Sequence, residues 1–137
     1  MDAEGDEADL SQPVRIPGED PRFLAGPAEP SDLVISTRRL TADGEIVVSL
    51  DGDLDIDAAD RVRLVLVGAA RTAGCRRLRV DLAEVSFIDS VGLGALVAGC
   101  RAATAAGVTF TMTNAQPPVR RVLEVTRLAG PLGLAGP

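Results

Sequence analysis

Apolar and polar residues take turns along two short stretches near the start of the chain, Leu33 to Leu40 and Glu45 to Leu50. Between them stands Thr41-Ala42-Asp43-Gly44, and Asp-Gly between apolar runs is a hairpin signal. The spacing then changes from two to three and four. Val62, Val65, Leu66, Ala69 and Ala73 form one helical stripe, with Asp57 as its N-cap, Asp60 in the first turn and Gly74 as its stop. Alternation returns in Leu78-Arg79-Val80-Asp81-Leu82, which predicts a strand. A second helix is predicted from the stripe Leu93, Leu96, Val97, Cys100 and Thr104, ended by Gly107. Val108, Phe110 and Met112 alternate with three threonines as a further strand. Pro117-Pro118 opens a third helix with Val119, Val122, Leu123 and Leu128 inward, because proline suits a first helical turn. The predicted order is ββαβαβα. Strands separated by helices pair in parallel through right-handed crossovers, so an α/β fold with a mixed, mostly parallel sheet is expected, the hairpin supplying its antiparallel pair.

This patterned body covers residues 32–130. Before it, residues 1–31 combine acids and five prolines with scattered apolar residues, and such a stretch buries too little surface to offset its ordering entropy. A disordered acidic tail is expected there, and a flexible C-terminus over 131–137. Residues 1–30 hold eight acids and two arginines, while the other 107 residues carry 12 acids and 12 arginines. The net charge of −6 is therefore the tail's, and the neutral body has no basic excess to bind a nucleic acid backbone.

All 14 basic residues are arginine, and the chain of 137 residues has no His, Trp, Tyr or Lys. That removes Ser-His-Asp and Cys-His catalysis, imidazole metal ligands, Schiff-base chemistry and a Walker-type phosphate loop. Cys75 and Cys100 have no metal-ligand spacing, and reduced, mostly buried thiols are expected. No apolar run reaches the length of about 18 residues that spans a membrane, and the N-terminus is acidic where a secretion signal is basic. A cytoplasmic protein without cofactor, metal or membrane contact is the expectation. The aspartates at 51, 53, 55, 57 and 60 lack the order of a calcium loop and read as a strand-to-helix connection with caps.

Ser90 stands where the predicted second helix begins. From spacing alone Asp89 or Ser90 caps that helix, since Asp and Ser lead the cap preferences. The other reading is a phosphate acceptor, whose charge would meet free N–H groups at the positive end of the helix dipole. A nucleophilic Ser90 served by Asp89 is poor chemistry, because a carboxylate is a weak base for an alcohol and no imidazole or amine exists to replace it. Glycines at 92 and 94 in the first turn signal close packing or the close approach of another molecule.

Taken in order, Gly52-Asp53-Leu54-Asp55, Val80-Asp81-Leu82, Phe87-Ile88-Asp89-Ser90-Val91-Gly92-Leu93 and Pro118-Val119-Arg120-Arg121-Val122-Leu123-Glu124 resemble the successive signatures of STAS domains, specifically bacterial anti-sigma-factor antagonists. The resemblance runs from about residue 32 to 130. It implies a non-enzymatic regulator of transcription in stress response or sporulation, which binds a serine-kinase anti-sigma factor and so frees a sigma factor. It further implies that the kinase phosphorylates Ser90 to abolish binding and that a phosphatase restores it. The partner-binding residues it implies are Asp55, Asp89, Ser90, Val91, Gly92 and Leu93. Val91 departs from the Ser or Thr of many members, the acidic tail is additional, and the C-terminus is short for the family's last strand and helix. The alternative is a STAS-type accessory or ligand-binding module of a transport complex, without a kinase.

Overall fold

The computed structural model describes residues 32–40 and 42–135; the segment expected to be a disordered tail lies outside the described residues, as does the end of the chain from 136. Seven elements follow in the expected order: β1 (Val34–Leu40), β2 (Glu45–Leu54), α1 (Ile56–Ala70), β3 (Arg77–Ile88), α2 (Ser90–Ala105), β4 (Thr109–Thr113) and α3 (Pro117–Val125). The sheet order is β1-β2-β3-β4, antiparallel between β1 and β2 and parallel in the other two pairs. Gly44 turns the hairpin with φ of 67°, a backbone region that favours glycine, and the Asp43 N–H donates to the Leu40 carbonyl at 3.0 Å.

Alternation sorts the strand residues. Ile46, Val48 and Leu50 of β2, Leu78, Val80 and Leu82 of β3, and Phe110 and Met112 of β4 enter one core cluster with Val62 and Leu66 of α1, Leu93 and Leu96 of α2, and Val119 and Leu123 of α3. Val47 lies between Arg38 and Arg79 in register and is buried outside that cluster, while Arg79 is paired with Glu45 at 3.3 Å. The two long helices pack on each other so closely that a Cβ at Gly99 would come within 2.8 Å of Leu66 Cβ.

Several sequence expectations are corrected. Asp51 to Leu54, expected as a loop, continue β2, and β3 runs six residues beyond Leu82 to Ile88. The two extensions pair with each other through register shifts between Ser49 and Asp51 and between Gly52 and Asp53. Asp and Gly are poor strand formers and the irregular register breaks the period, so only the neighbouring strand makes this stretch extended. The N-cap of α1 is Asp55, with Asp57 in the first turn. That helix ends at Ala70, which leaves Ala73 outside it and exposed, and in α2 Ala103 is buried where Thr104 is exposed. Both thiols, expected to be mostly buried, are half-buried.

Within the end expected to be flexible, 131–137, the described residues up to Ala135 are laid along the outer edge of β4. Met112 N–H donates to the Gly133 carbonyl at 3.0 Å, Ala135 N–H donates to the Met112 carbonyl at 2.8 Å, and Leu134 forms a parallel bridge with Met112. Leu132 is 2% exposed. An unpaired strand edge and a core position for one leucine order a segment whose composition alone suggests a loose end.

Candidate partner-binding site at Ser90

Because β2 and β3 are parallel, their C-terminal ends lie side by side, and so do the starts of the helices that follow them. Leu54 pairs with Ile88, and Asp89 N–H donates to the Leu54 carbonyl at 3.2 Å. Asp55 and Asp89 then leave the strands with extended backbones and cap the helices. Asp55 Oδ1 accepts from the N–H groups of Asp57 at 3.1 Å and Ala58 at 3.2 Å. Asp89 Oδ1 accepts from Gly92 N–H at 2.8 Å, and its Oδ2 accepts from Ile56 N–H at 3.1 Å. Asp89 thus serves both helices, and the capping demand of α2 is met without Ser90.

Ser90, the first residue of α2, is exposed, and among the described residues its hydroxyl makes no hydrogen bond. Among residues adjoining Asp89 and Ser90 in the chain or bonded to Asp89 through the backbone, Ile56 is 65%, Phe87 49% and Val91 44% exposed.

Of the six residues expected to touch a partner, Ser90 and Val91 are exposed, while Asp55 and Asp89 are half-buried and occupied as caps. Gly92 and Leu93 are buried. A Cβ at Gly92 would fall on the Leu54 carbonyl oxygen and lie 2.7 Å from its carbon, so glycine is what lets α2 start against the end of β2. Ile56 was not foreseen. Its signal was available in that it falls outside the stripe of Val62, Leu66 and Ala69 yet is a large apolar residue. Phe87 belonged to the quoted motif, but its exposure depends on the late extension of β3.

Acids are the more numerous near the strand ends that lead to Ser90, where Asp51, Asp53, Asp55, Glu84 and Asp89 lie, whereas Arg38, Arg39, Arg76, Arg77 and Arg79 lie toward the other end together with Asp43 and Glu45. The positive ends of two helix dipoles sit under the acidic end and temper it. No helix among the described residues is long and apolar enough to cross a membrane.

The fold is that of a small α/β domain, and a family model described as "Mlab, STAS domain" matches residues 37–135. The chain belongs to the STAS domain family. It is 29% identical over 85 residues to the anti-sigma F factor antagonist of Paenibacillus polymyxa, covering 62% of this chain and 73% of the relative. Over 86 residues it is 29% identical to the anti-sigma-B factor antagonist of Bacillus subtilis (strain 168), covering 63% and 77%. The structure of the anti-sigma factor antagonist SpoIIAA in its unphosphorylated form superposes with a TM-score of 0.64 at 25% identity, over 75% of this chain and 89% of that one.

Proposed function

We propose that this chain is an anti-sigma-factor antagonist that binds a serine-kinase anti-sigma factor, thereby releasing a sigma factor, and that phosphorylation of Ser90 switches it off until a phosphatase removes the phosphate. The observation that carries the reading is that Asp89 caps α2, which leaves the Ser90 hydroxyl exposed and without a hydrogen bond among the described residues. The names of the relatives support the antagonist role. The chain's part is recognition, and the serine is a substrate of the partner.

A phosphoserine carries about −1.5 to −2 charges at neutral pH. At a helix start such a charge is worth about 0.3 to 1 kcal/mol, and the Asp89 and Asp55 carboxylates oppose it, so the domain stays folded. Against a partner the dianion must shed its water beside the Asp89 carboxylate, which offers it no compensation. A loss of about a hundredfold or more in affinity follows.

The test is incubation of the purified chain with ATP and each ATP-binding anti-sigma factor encoded in the same genome, followed by mass spectrometry and titration calorimetry. Phosphate on Ser90 in the wild-type chain, none on Ser90→Ala, and tight binding by the unphosphorylated form alone are expected. Full phosphorylation of Ser90→Ala, or equal binding by both forms, overturns the reading.

A further inference from the structure

The first N–H groups of α1 are divided between two carboxylates. Asp55 Oδ1 takes those of Asp57 and Ala58, and the Ala59 N–H donates to the Asp55 carbonyl at 2.9 Å. The N–H of Ile56, the first of the helix, goes instead to Oδ2 of Asp89, the cap of the other helix. Asp89 also serves its own helix, taking Gly92 N–H on Oδ1 and Leu93 N–H on its backbone carbonyl at 2.9 Å. The N–H groups of Ser90 and Val91 have no hydrogen bond among the described residues. The dependence between the helices therefore runs one way: the start of α1 relies on the residue that precedes the serine, and the start of α2 takes nothing from Asp55.

Both oxygens of Asp89 are committed, and their bonds are unequal. The bond to Gly92, at 2.8 Å, closes within a single turn. The bond to Ile56, at 3.1 Å, joins residues 33 positions apart, and its donor belongs to a residue 65% exposed, where water can replace the carboxylate. When the γ-phosphoryl group of ATP passes to Ser90 Oγ, with ADP and the hydroxyl proton as the other products, about −1.5 to −2 charges appear on the residue next to Asp89. Like charges that close repel each other, and the phosphate competes with the carboxylate for the positive start of α2, where the Ser90 and Val91 N–H groups are open to it. The longer and more exposed of the two Asp89 bonds is the one that yields.

We infer, on the phosphorylation reading above, that Asp89 is a positioning residue that carries the switch from α2 to α1: phosphate on Ser90 releases the Ile56 N–H from Asp89, so that a partner meets a changed start of α1 as well as a charge on α2. Asp55 keeps its hold on Asp57 and Ala58, which confines the change to the first residue of α1 and leaves the domain folded.

The test is amide hydrogen exchange, read residue by residue by NMR, on the full chain with and without phosphoserine at position 90. The phosphoserine is placed during synthesis by codon reassignment, so no kinase is needed. The Ile56 amide should exchange about tenfold or more faster in the phosphorylated chain, the equivalent of one lost charge-assisted hydrogen bond, while the Asp57 and Ala58 amides keep their rates. A nearby anion by itself slows base-catalysed exchange, so acceleration reports the lost bond and not the added charge. In Asp89→Ala the Ile56 amide should already exchange fast, and phosphoserine should add nothing further. The comparison of the two native chains stands without that variant. Unchanged exchange at Ile56, or equal acceleration at Asp57 and Ala58, overturns the relay. If the kinases of the same genome leave Ser90 unmodified, the phosphorylation reading fails, and the exchange rates of the synthetic phosphoprotein still decide whether Asp89 couples the two helices.

Discussion

Asp89 and Ile56 are 33 positions apart in sequence, yet the Oδ2 of the one accepts the backbone N–H of the other at 3.1 Å. The second oxygen of the same carboxylate accepts Gly92 N–H at 2.8 Å. One side chain therefore fixes the starts of two helices against each other and frees the neighbouring serine from a capping role. Removing it should affect both helices. Asp89→Ala is expected to destabilise the domain by about 1–2 kcal/mol, the upper part of the range for losing an N-cap, and Asp89→Asn by less because its amide oxygen can still accept one bond. Urea denaturation followed by circular dichroism measures this; no loss in Asp89→Ala would show that the double cap carries no stability.

Gly92 and Gly99 hold positions where the backbone of α2 touches other elements, and adding one methyl group should be costly at both. Gly92→Ala drives a Cβ into the Leu54 carbonyl and has only backbone to displace, whereas Gly99→Ala meets the Leu66 side chain at 2.8 Å. Overpacking of this kind costs about 1–3 kcal/mol, with Gly92→Ala the worse of the two. Melting temperatures should fall by about 4–8 °C for each kcal/mol in a domain of this size.

Phosphorylated and unphosphorylated chains should melt within about 1 kcal/mol of each other in stability while differing about a hundredfold in affinity for the anti-sigma factor. Ser90→Asp, with one charge on a shorter side chain, should reproduce only part of the loss. The paired measurement separates a switch at the interface from one that works by unfolding, and a phosphorylated chain without a cooperative melting transition would refute the first.

Leu132 tests the ordered C-terminal segment. Since it is 2% exposed and joined to the edge of β4 through its neighbours, Leu132→Ala should cost about 2–5 kcal/mol. A frayed end would lose nothing measurable in the same denaturation experiment.

Burial pushes the Cys75 thiol above its ordinary value of 9.0, with the backbone contact at Arg77 and the charge of Arg39 pulling the other way. A raised thiol pKa means that the folded chain holds the proton more tightly than the unfolded one. Its contribution to stability is therefore complete below the ordinary value and declines as pH rises past 9.0 toward the folded value. Alkylation of Cys75 at pH 8 should run more slowly in the native chain than in urea. Equal rates would contradict the shift.

Local pattern by itself determined the number, type and order of the elements, because periods of two and of three to four in apolar residues reflect which side of a strand or helix is buried. The motif order also led to Ser90, since a Ser after an Asp at a strand-to-helix junction has few things it can do. Which of Asp89 and Ser90 is the cap was beyond the sequence, both being good caps, and the answer depended on where each side chain points once Leu54 and Ile88 lie in register. The same register turned Gly92 and Leu93 inward, brought the Ile56 N–H to Asp89, and extended β2 and β3 through residues that carry little strand propensity of their own. The segment from Leu132 to Leu134 gained its order from the free edge of β4. These are contacts between residues far apart in the chain, and no local periodicity records them; they are settled only when the sheet has brought its strands together.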